Sequence, residues 1–349
     1  MNDQTFMAGI STSDRRMERP DPAVRALRAL VAVSPALDPG LETVVCIPCF
    51  RRPEYLRRTL QSLAAQRASH RFAIVMVEND ASRSESVPVA AEYLASGKLS
   101  GLCVIEPRQG NCYAINAAFE TALQMFPSAT SFLMIDDDEI ASPDWLEQMV
   151  GTAEATGADI VGGPVFPEFD DKRKRGLRRH PAFAPAYDAS GPVPVIYGCG
   201  NCLIRRAVFD RLDTPAFDLR FNFLGGGDTD FFYRCKRLGL RFHWVAEAAI
   251  SETVPQNRTG LKWLVTRGLR IGAINYHVQR KATPTFRLRA KLTAKLLAAL
   301  PLSLIHALHA VFTEREWTIA MHPVIVAIGS VLAAFGLEPQ PYKASKIVS

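Results

Sequence analysis

The order of elements between residues 42 and 165 constrains the fold more than any other feature of the chain. VVCIP, FAIVMV, GLCVIE and SFLMI are apolar runs of strand length. Between them, PEYLRRTLQSLAAQ and NCYAINAAFETALQMF carry apolar residues at helical spacing, with Leu56, Leu60 and Leu63 on one face of the first. Strands that alternate with helices imply an α/β class, a mostly parallel sheet wrapped by helices. With 349 residues, 48% of them hydrophobic, the chain can bury one large core or two smaller ones. Ligands of such sheets sit beyond the carboxyl ends of the strands.

That is where FLMIDDDEIASPDWL sets four consecutive acids, Asp136, Asp137, Asp138 and Glu139, directly after a strand signal. Four adjacent carboxylates repel one another, and oxygen coordination to a divalent cation offsets the repulsion; solvated loop acids are the plainer alternative. Neighbours on an extended chain project oppositely, so Asp136 and Asp138 form the natural pair.

The segment resembles the DxD motif of glycosyltransferase family 2, inverting enzymes with a GT-A nucleotide-sugar-binding fold. VCIPCFRRPEYLRRTLQSLAAQ is similar to the family's opening strand and helix, with Pro48 and Arg52 at matching places. VENDAS resembles the acidic turn that contacts base and ribose, which implies nucleotide roles for Glu78, Asn79 and Asp80. GNCYAIN resembles a G-x-x-x-A-x-N element beside the nucleotide, which implies the same for Gly110 and Asn116, although Ile115 stands where an Arg is often found. By resemblance, Asp136 and Asp137 lie on the nucleotide side and Asp136 and Asp138 serve Mn²⁺ or Mg²⁺. YGCGNCLIRRAVFD looks like the acceptor-side strand. In FLGGGDTDFFYRCKRLG, Asp228, Arg234 and Gly239 keep the spacing of the family's E-D element, with Gly227 in place of its Glu. The resemblance implies that Asp228 is the catalytic base, accepting the proton of an acceptor hydroxyl; helix capping is the alternative. Residues EAAISETVPQNRTGLKWLVTRGLRIG resemble a tail of the succinoglycan-type branch, with Glu252, Arg258, Arg267 and Arg270 at matching positions, either gripping phosphate or solvated.

The remainder of the chain bears on location. Residues 1–40, with one short helical pattern in VRALRALVAV, read as a flexible cytoplasmic arm. Seven cysteines fit a reducing compartment, and CIPC and CGNC read as ordinary buried or loop thiols rather than a zinc site. KRKRGLRR, six basic residues in eight, suits a solvated loop, anionic headgroups or a diphosphate-linked acceptor; nothing nearby favours nucleic acid. From Thr253 to Thr313 there is no acid; ten basic residues fall between Arg258 and Lys295, and then come two apolar stretches, LLAALPLSLIHALHAVFT and WTIAMHPVIVAIGSVLAAFGL. Each approaches the roughly 20 residues of a membrane span. The flanking charge places both ends on the cytoplasmic side, so a membrane hairpin is expected; an interfacial pair and a soluble capping hairpin are the alternatives.

The expected organisation is therefore an arm over 1–40, a GT-A domain over 41–275 with nucleotide and acceptor halves meeting near 145, and a basic linker with membrane-associating helices over 276–349. The expected activity is sugar transfer from a nucleotide donor to a glycan or lipid-linked acceptor in polysaccharide assembly. A nucleotidyltransferase and an inactive nucleotide-sugar-binding module are the competing readings.

Overall fold

The computed structural model describes residues 28–213, 215–283, 285–313 and 317–337. A nine-stranded sheet has the order β1 (Ala29–Val33), β4 (Gly101–Ile105), β3 (Phe72–Glu78), β2 (Thr43–Cys49), β5 (Ser131–Met134), β10 (Cys202–Arg205), β7 (Ile160–Gly162), β11 (Phe242–Trp244) and β9 (Gly191–Val193). β4, β3, β2 and β5 run parallel, as do β7 and β11, whereas β1, β10 and β9 are antiparallel to their neighbours. A second sheet pairs β12 (Ile250–Val254) with β6 (Glu139–Ala141) and β8 (Val165–Phe169).

Helices α1 (Pro53–Ala64), α2 (Val87–Ala95) and α4 (Trp145–Thr156), and on the other side α3 (Asn111–Met125), cover the sheet. Alternate residues of β2 divide between the two cores, because side chains in a strand alternate across the sheet. Val45 and Ile47 pack with Leu56, Leu60 and Leu63 of α1, while Val44 and Cys46 pack with Phe119 of α3 and Phe126. All seven cysteines are buried free thiols.

Two sequence expectations change here. Within the expected arm, Ala29–Val33 is a strand on the β4 edge, although its spacing reads as helical. Unpaired β4 amides and carbonyls offer it a ladder, and Arg28 fixes its entry by 2.8 Å ion pairs to Glu106 and Glu120. The arm up to residue 27 lies outside the described residues. The expected boundary at 275 falls inside one unbroken helix, α7 (Leu261–Lys281).

Two shorter helices, α5 (Arg206–Asp210) and α6 (Gly227–Arg237), precede α7, and α8 (Phe286–Thr313) and α9 (Trp317–Ala334) follow it. α9 lies directly on α7. A Cβ on Gly272 would sit 2.1 Å from the Val326 carbonyl oxygen, and one on Gly329 2.2 Å from that of Leu269. Small residues let the two backbones approach, and the Ser330 hydroxyl donates across the seam to the Gly272 carbonyl at 2.9 Å. Of the two apolar stretches, only Trp317–Ala334 is long and apolar enough for a span among the described residues, with mean hydropathy 1.7 and 39% of it buried against protein. The first stretch lies in α8, interrupted by Pro301.

Candidate active site

The acids occupy the turn between β5 and β6. Glu139 points back and accepts from the Asp136 amide at 2.7 Å, closing the turn. Gly200 makes room for it, since a Cβ there would lie 2.5 Å from the Glu139 carboxylate. Asp137 accepts from the Phe50 amide at 2.8 Å and from Arg52 at 3.2 Å, so it ties the turn to the loop after β2. The same Arg52 nitrogen pairs with Asp138. Asp136 is half-buried, and its carboxylate accepts no hydrogen bond among the described residues.

Little positive charge balances this cluster. Burial, then the neighbouring Asp138 and Asp137, pushes the Asp136 carboxyl up to about 8. Burial likewise takes Asp137 to about 7, partly opposed by Arg52. Burial and Asp136 raise Glu139 well above its ordinary value. A fifth carboxylate, Glu252 of β12, is raised by burial and by Asp138, and accepts from Arg258 at 2.8 Å.

The strand ends beside this turn complete the floor. Pro48 is half-buried near the end of β2. After it Arg51, in left-handed conformation with φ 57°, pairs with Asp80. Burial opposes the Asp80 charge, and Ser82 with Arg51 outweighs it, holding the carboxyl below the usual range. Glu78 is fully buried and accepts from the Asp80 and Ser86 amides at 2.8 and 2.9 Å. Asn79 spends its whole amide on backbone: it donates to the Glu106 and Arg108 carbonyls and accepts from Gly110. Asn116 exchanges two 2.8 Å bonds with the Phe217 backbone. Gly110 is required by Asn222, whose amide would meet a Cβ there at 2.0 Å. Glu78, Asn79, Gly110 and Asn116 thus shape the floor from beneath.

Asp228 opens α6 after Gly225 and Gly226, whose φ values are 83° and 84°. Its carboxylate is half-buried and bonds the adjacent Thr229 amide at 2.7 Å. Asp230 differs. It is buried and clasped by Arg234 at 2.9 Å and by Lys281 of α7 at 2.9 Å, and Lys281 also reaches Asp218 at 2.6 Å. Gly227 has no room for the family's Glu: a Cβ would lie 2.7 Å from the Cys112 sulfur. Phe231, Phe232 and Cys235 face the core, and Leu238, just past the helix end, is 41% exposed. Burial raises the Cys199 and Cys202 thiols, and the charges of Asp228 and Asp136 add to it. Sequence reading missed Arg51 and Lys281. Adjacent arginines at a strand end facing an acidic turn are the signal for the first; a lysine 51 residues from its buried partner gives none.

A mixed, mostly parallel sheet with an acidic turn and a second carboxylate-bearing helix at its strand ends defines a glycosyl-transferring enzyme of GT-A fold. The model described as "Glycosyl transferase family 2" matches residues 44–213, and that described as "Glycosyl transferase family group 2" matches 131–332. The chain belongs to glycosyltransferase family 2. It is 34% identical over 228 residues to succinoglycan biosynthesis protein ExoM of Rhizobium meliloti (strain 1021), spanning 64% of this chain and 70% of that protein. To O-antigen biosynthesis protein RfbC of Myxococcus xanthus it is 26% identical over 225 residues, 59% of this chain but 17% of that much longer one. Among solved structures, mannosyltransferase PcManGT from Pyrobaculum calidifontis, in complex with GDP-Man and Mn²⁺, aligns with a TM-score of 0.52 at 17% identity, covering 85% of this chain and 89% of that one.

Proposed function

We propose that this enzyme transfers a sugar from a nucleotide-sugar donor to a hydroxyl of a glycan or lipid-linked acceptor, with inversion, in the assembly of a polysaccharide. The setting is supported by the names of the two relatives, a succinoglycan and an O-antigen biosynthesis protein. The observation that carries the mechanism is the division of labour on α6, where, among the described residues, Asp230 is bound by two cations and Asp228 by none. Asp228 is then the base: it takes the proton of the acceptor hydroxyl as that oxygen attacks the anomeric carbon opposite the leaving group. One displacement inverts the centre.

The acidic turn fits a divalent cation. Among the described residues the Asp136 carboxylate has no hydrogen-bond or ion-pair partner, Asp138 is held only by Arg52, and no group of three His, Cys, Asp or Glu side chains is placed to hold a metal ion, so the reading rests on these two carboxylates. Two carboxylates that leave positions for water and phosphate oxygens suit Mg²⁺ or Mn²⁺. When bound, the ion would neutralise the departing nucleoside diphosphate. Arg51 and Arg52 supply fixed positive charge at the same strand ends, and Asp80, paired with Arg51, is assigned to the ribose on the family resemblance alone.

Location on the cytoplasmic membrane face is supported by α9 and by the basic 3-10 segment Lys172–Arg179, which leads into His180 against His322 of α9, with ring centroids 5.0 Å apart. Incubation with a panel of nucleotide sugars, a divalent metal and candidate acceptors, with product analysis, tests the reading. Glycoside plus nucleoside diphosphate is expected. Pyrophosphate release would support a nucleotidyltransferase, and binding without product an inactive module.

A further inference from the structure

The three carboxyl-terminal helices enclose a cleft of about 400 Å³. Leu296 and Ala299 of α8 and Val326 and Ala327 of α9 form its apolar walls, and Asn275 and Gln279 of α7 its polar edge. A second cleft of about 210 Å³ shares Gln279 and Lys295 with the first, passes Lys291, and ends on Tyr233 of α6. Together they make one trough, apolar at one end and flanked by two ammonium groups at the other. Tyr233 follows Asp228 by five residues, roughly 7.5 Å along the helix axis.

Neither cleft is lined by a carboxylate among the described residues. Lys295 bonds the Gln279 amide oxygen at 3.0 Å and Lys291 is exposed, so among the described residues the two cations flank the trough without an anionic partner. His322, at the apolar end, is buried with an unpartnered Nδ1. The outward side of α8 exposes Leu302, Leu304, Ile305 and Leu308, an apolar strip of the kind that rests against lipid.

A free phosphate would use the lysines and leave the apolar end empty. A peptide would bring backbone amides that the Leu296, Ala299, Val326 and Ala327 walls cannot pair. An amphiphile with one long hydrocarbon chain and a phosphate satisfies both ends. We propose that the trough binds such a phosphate-bearing lipid, its chain between α8 and α9 and its phosphate at Lys291 and Lys295. This site lies apart from the acidic turn, and its test reads lipid contact rather than transfer.

Full-length protein is mixed with phosphatidylcholine vesicles containing a prenyl or acyl phosphate that carries a photoactivatable group on its chain, irradiated, and the labelled peptides mapped. Label should fall within 296–303 and 323–330. Ala327→Trp, which fills the trough, should cut it at least about tenfold, as should Lys291→Glu with Lys295→Glu. Leu308→Trp, on the outward strip, should leave it unchanged. Should Ala327→Trp fail to fold, the exposed lysine pair decides. Label confined to the outward strip, full label in the plugged or charge-reversed chain, or equal label from a chain-matched neutral alcohol would each overturn the assignment. So would displacement by inorganic phosphate alone, which would show a bare anion site.

Discussion

Asp228→Asn and Asp230→Asn should fail in opposite ways, although the residues are two apart. Asp230 is 1% exposed and receives charge-assisted bonds from Arg234 and Lys281. An amide cannot carry the charge that both cations require, and Lys281 keeps only Asp218. Removing one member of a buried ion cluster costs about 3–5 kcal/mol. Among the described residues Asp228 bonds only its neighbour Thr229, through amide and hydroxyl, so the asparagine there should cost about 1 kcal/mol. Its effect belongs to rate, a loss of about 10²- to 10⁴-fold. Urea melts of the two chains, run beside transfer assays with a donor identified by screening, separate the cases. Expected is an early-melting Asp230 variant that retains turnover per folded molecule, and a normally melting Asp228 variant that has lost it. A stable but inactive Asp230→Asn beside an active Asp228→Asn would move the base to Asp230 and refute the division of labour.

Asp138→Ala should abolish metal-dependent nucleotide binding, read by calorimetry with and without Mn²⁺; unchanged binding would remove the cation from this turn. The folded pKa of Asp136, about 8, and of Asp137, about 7, exceed the unfolded value near 4. The native chain therefore holds protons that the unfolded chain has released, so metal-free stability should fall as pH rises from about 4 to about 8. Thermal melts across that window check the slope, and added Mn²⁺ should flatten it. Gly227→Glu, although it restores the family's pair, should destabilise by about 1–3 kcal/mol through collision with Cys112, measured by denaturant titration. Gly272→Val should loosen α9 from α7, seen as faster amide exchange in Trp317–Ala334, because its Cβ meets backbone rather than a movable side chain.

The strands were legible because each apolar run that forms a parallel sheet buried on both faces must be continuous, as FAIVMV and SFLMI are. The acidic turn was legible for the same reason: it follows the last residue of such a run. Ala29–Val33 was not, since its spacing suits a helix and only the open β4 edge selects a strand. Asn116 shows the deeper limit. Its motif suggests contact with a nucleotide, yet its amide is taken by Phe217, 101 residues away, and no local pattern encodes that partner. Asp228 and Asp230 are likewise near neighbours in one acidic stretch; Arg234, four residues on, marks Asp230 locally, but Lys281, which α7 delivers, has no local signal.

On α7, Gly272 presses against α9 while Ile274, two residues on, fills the space beside Gly226, where a Cβ would meet it at 2.4 Å. One rigid rod therefore touches the carboxyl-terminal hairpin on one side and the glycine turn before Asp228 on the other. Whatever surface holds α8 and α9, the height of the reactive turn above it is set by helix backbone and not by a tether. If that surface is the membrane proposed above, the enzyme would work at a fixed stand-off, and an acceptor would be selected by how far its hydroxyl projects as well as by its chemistry.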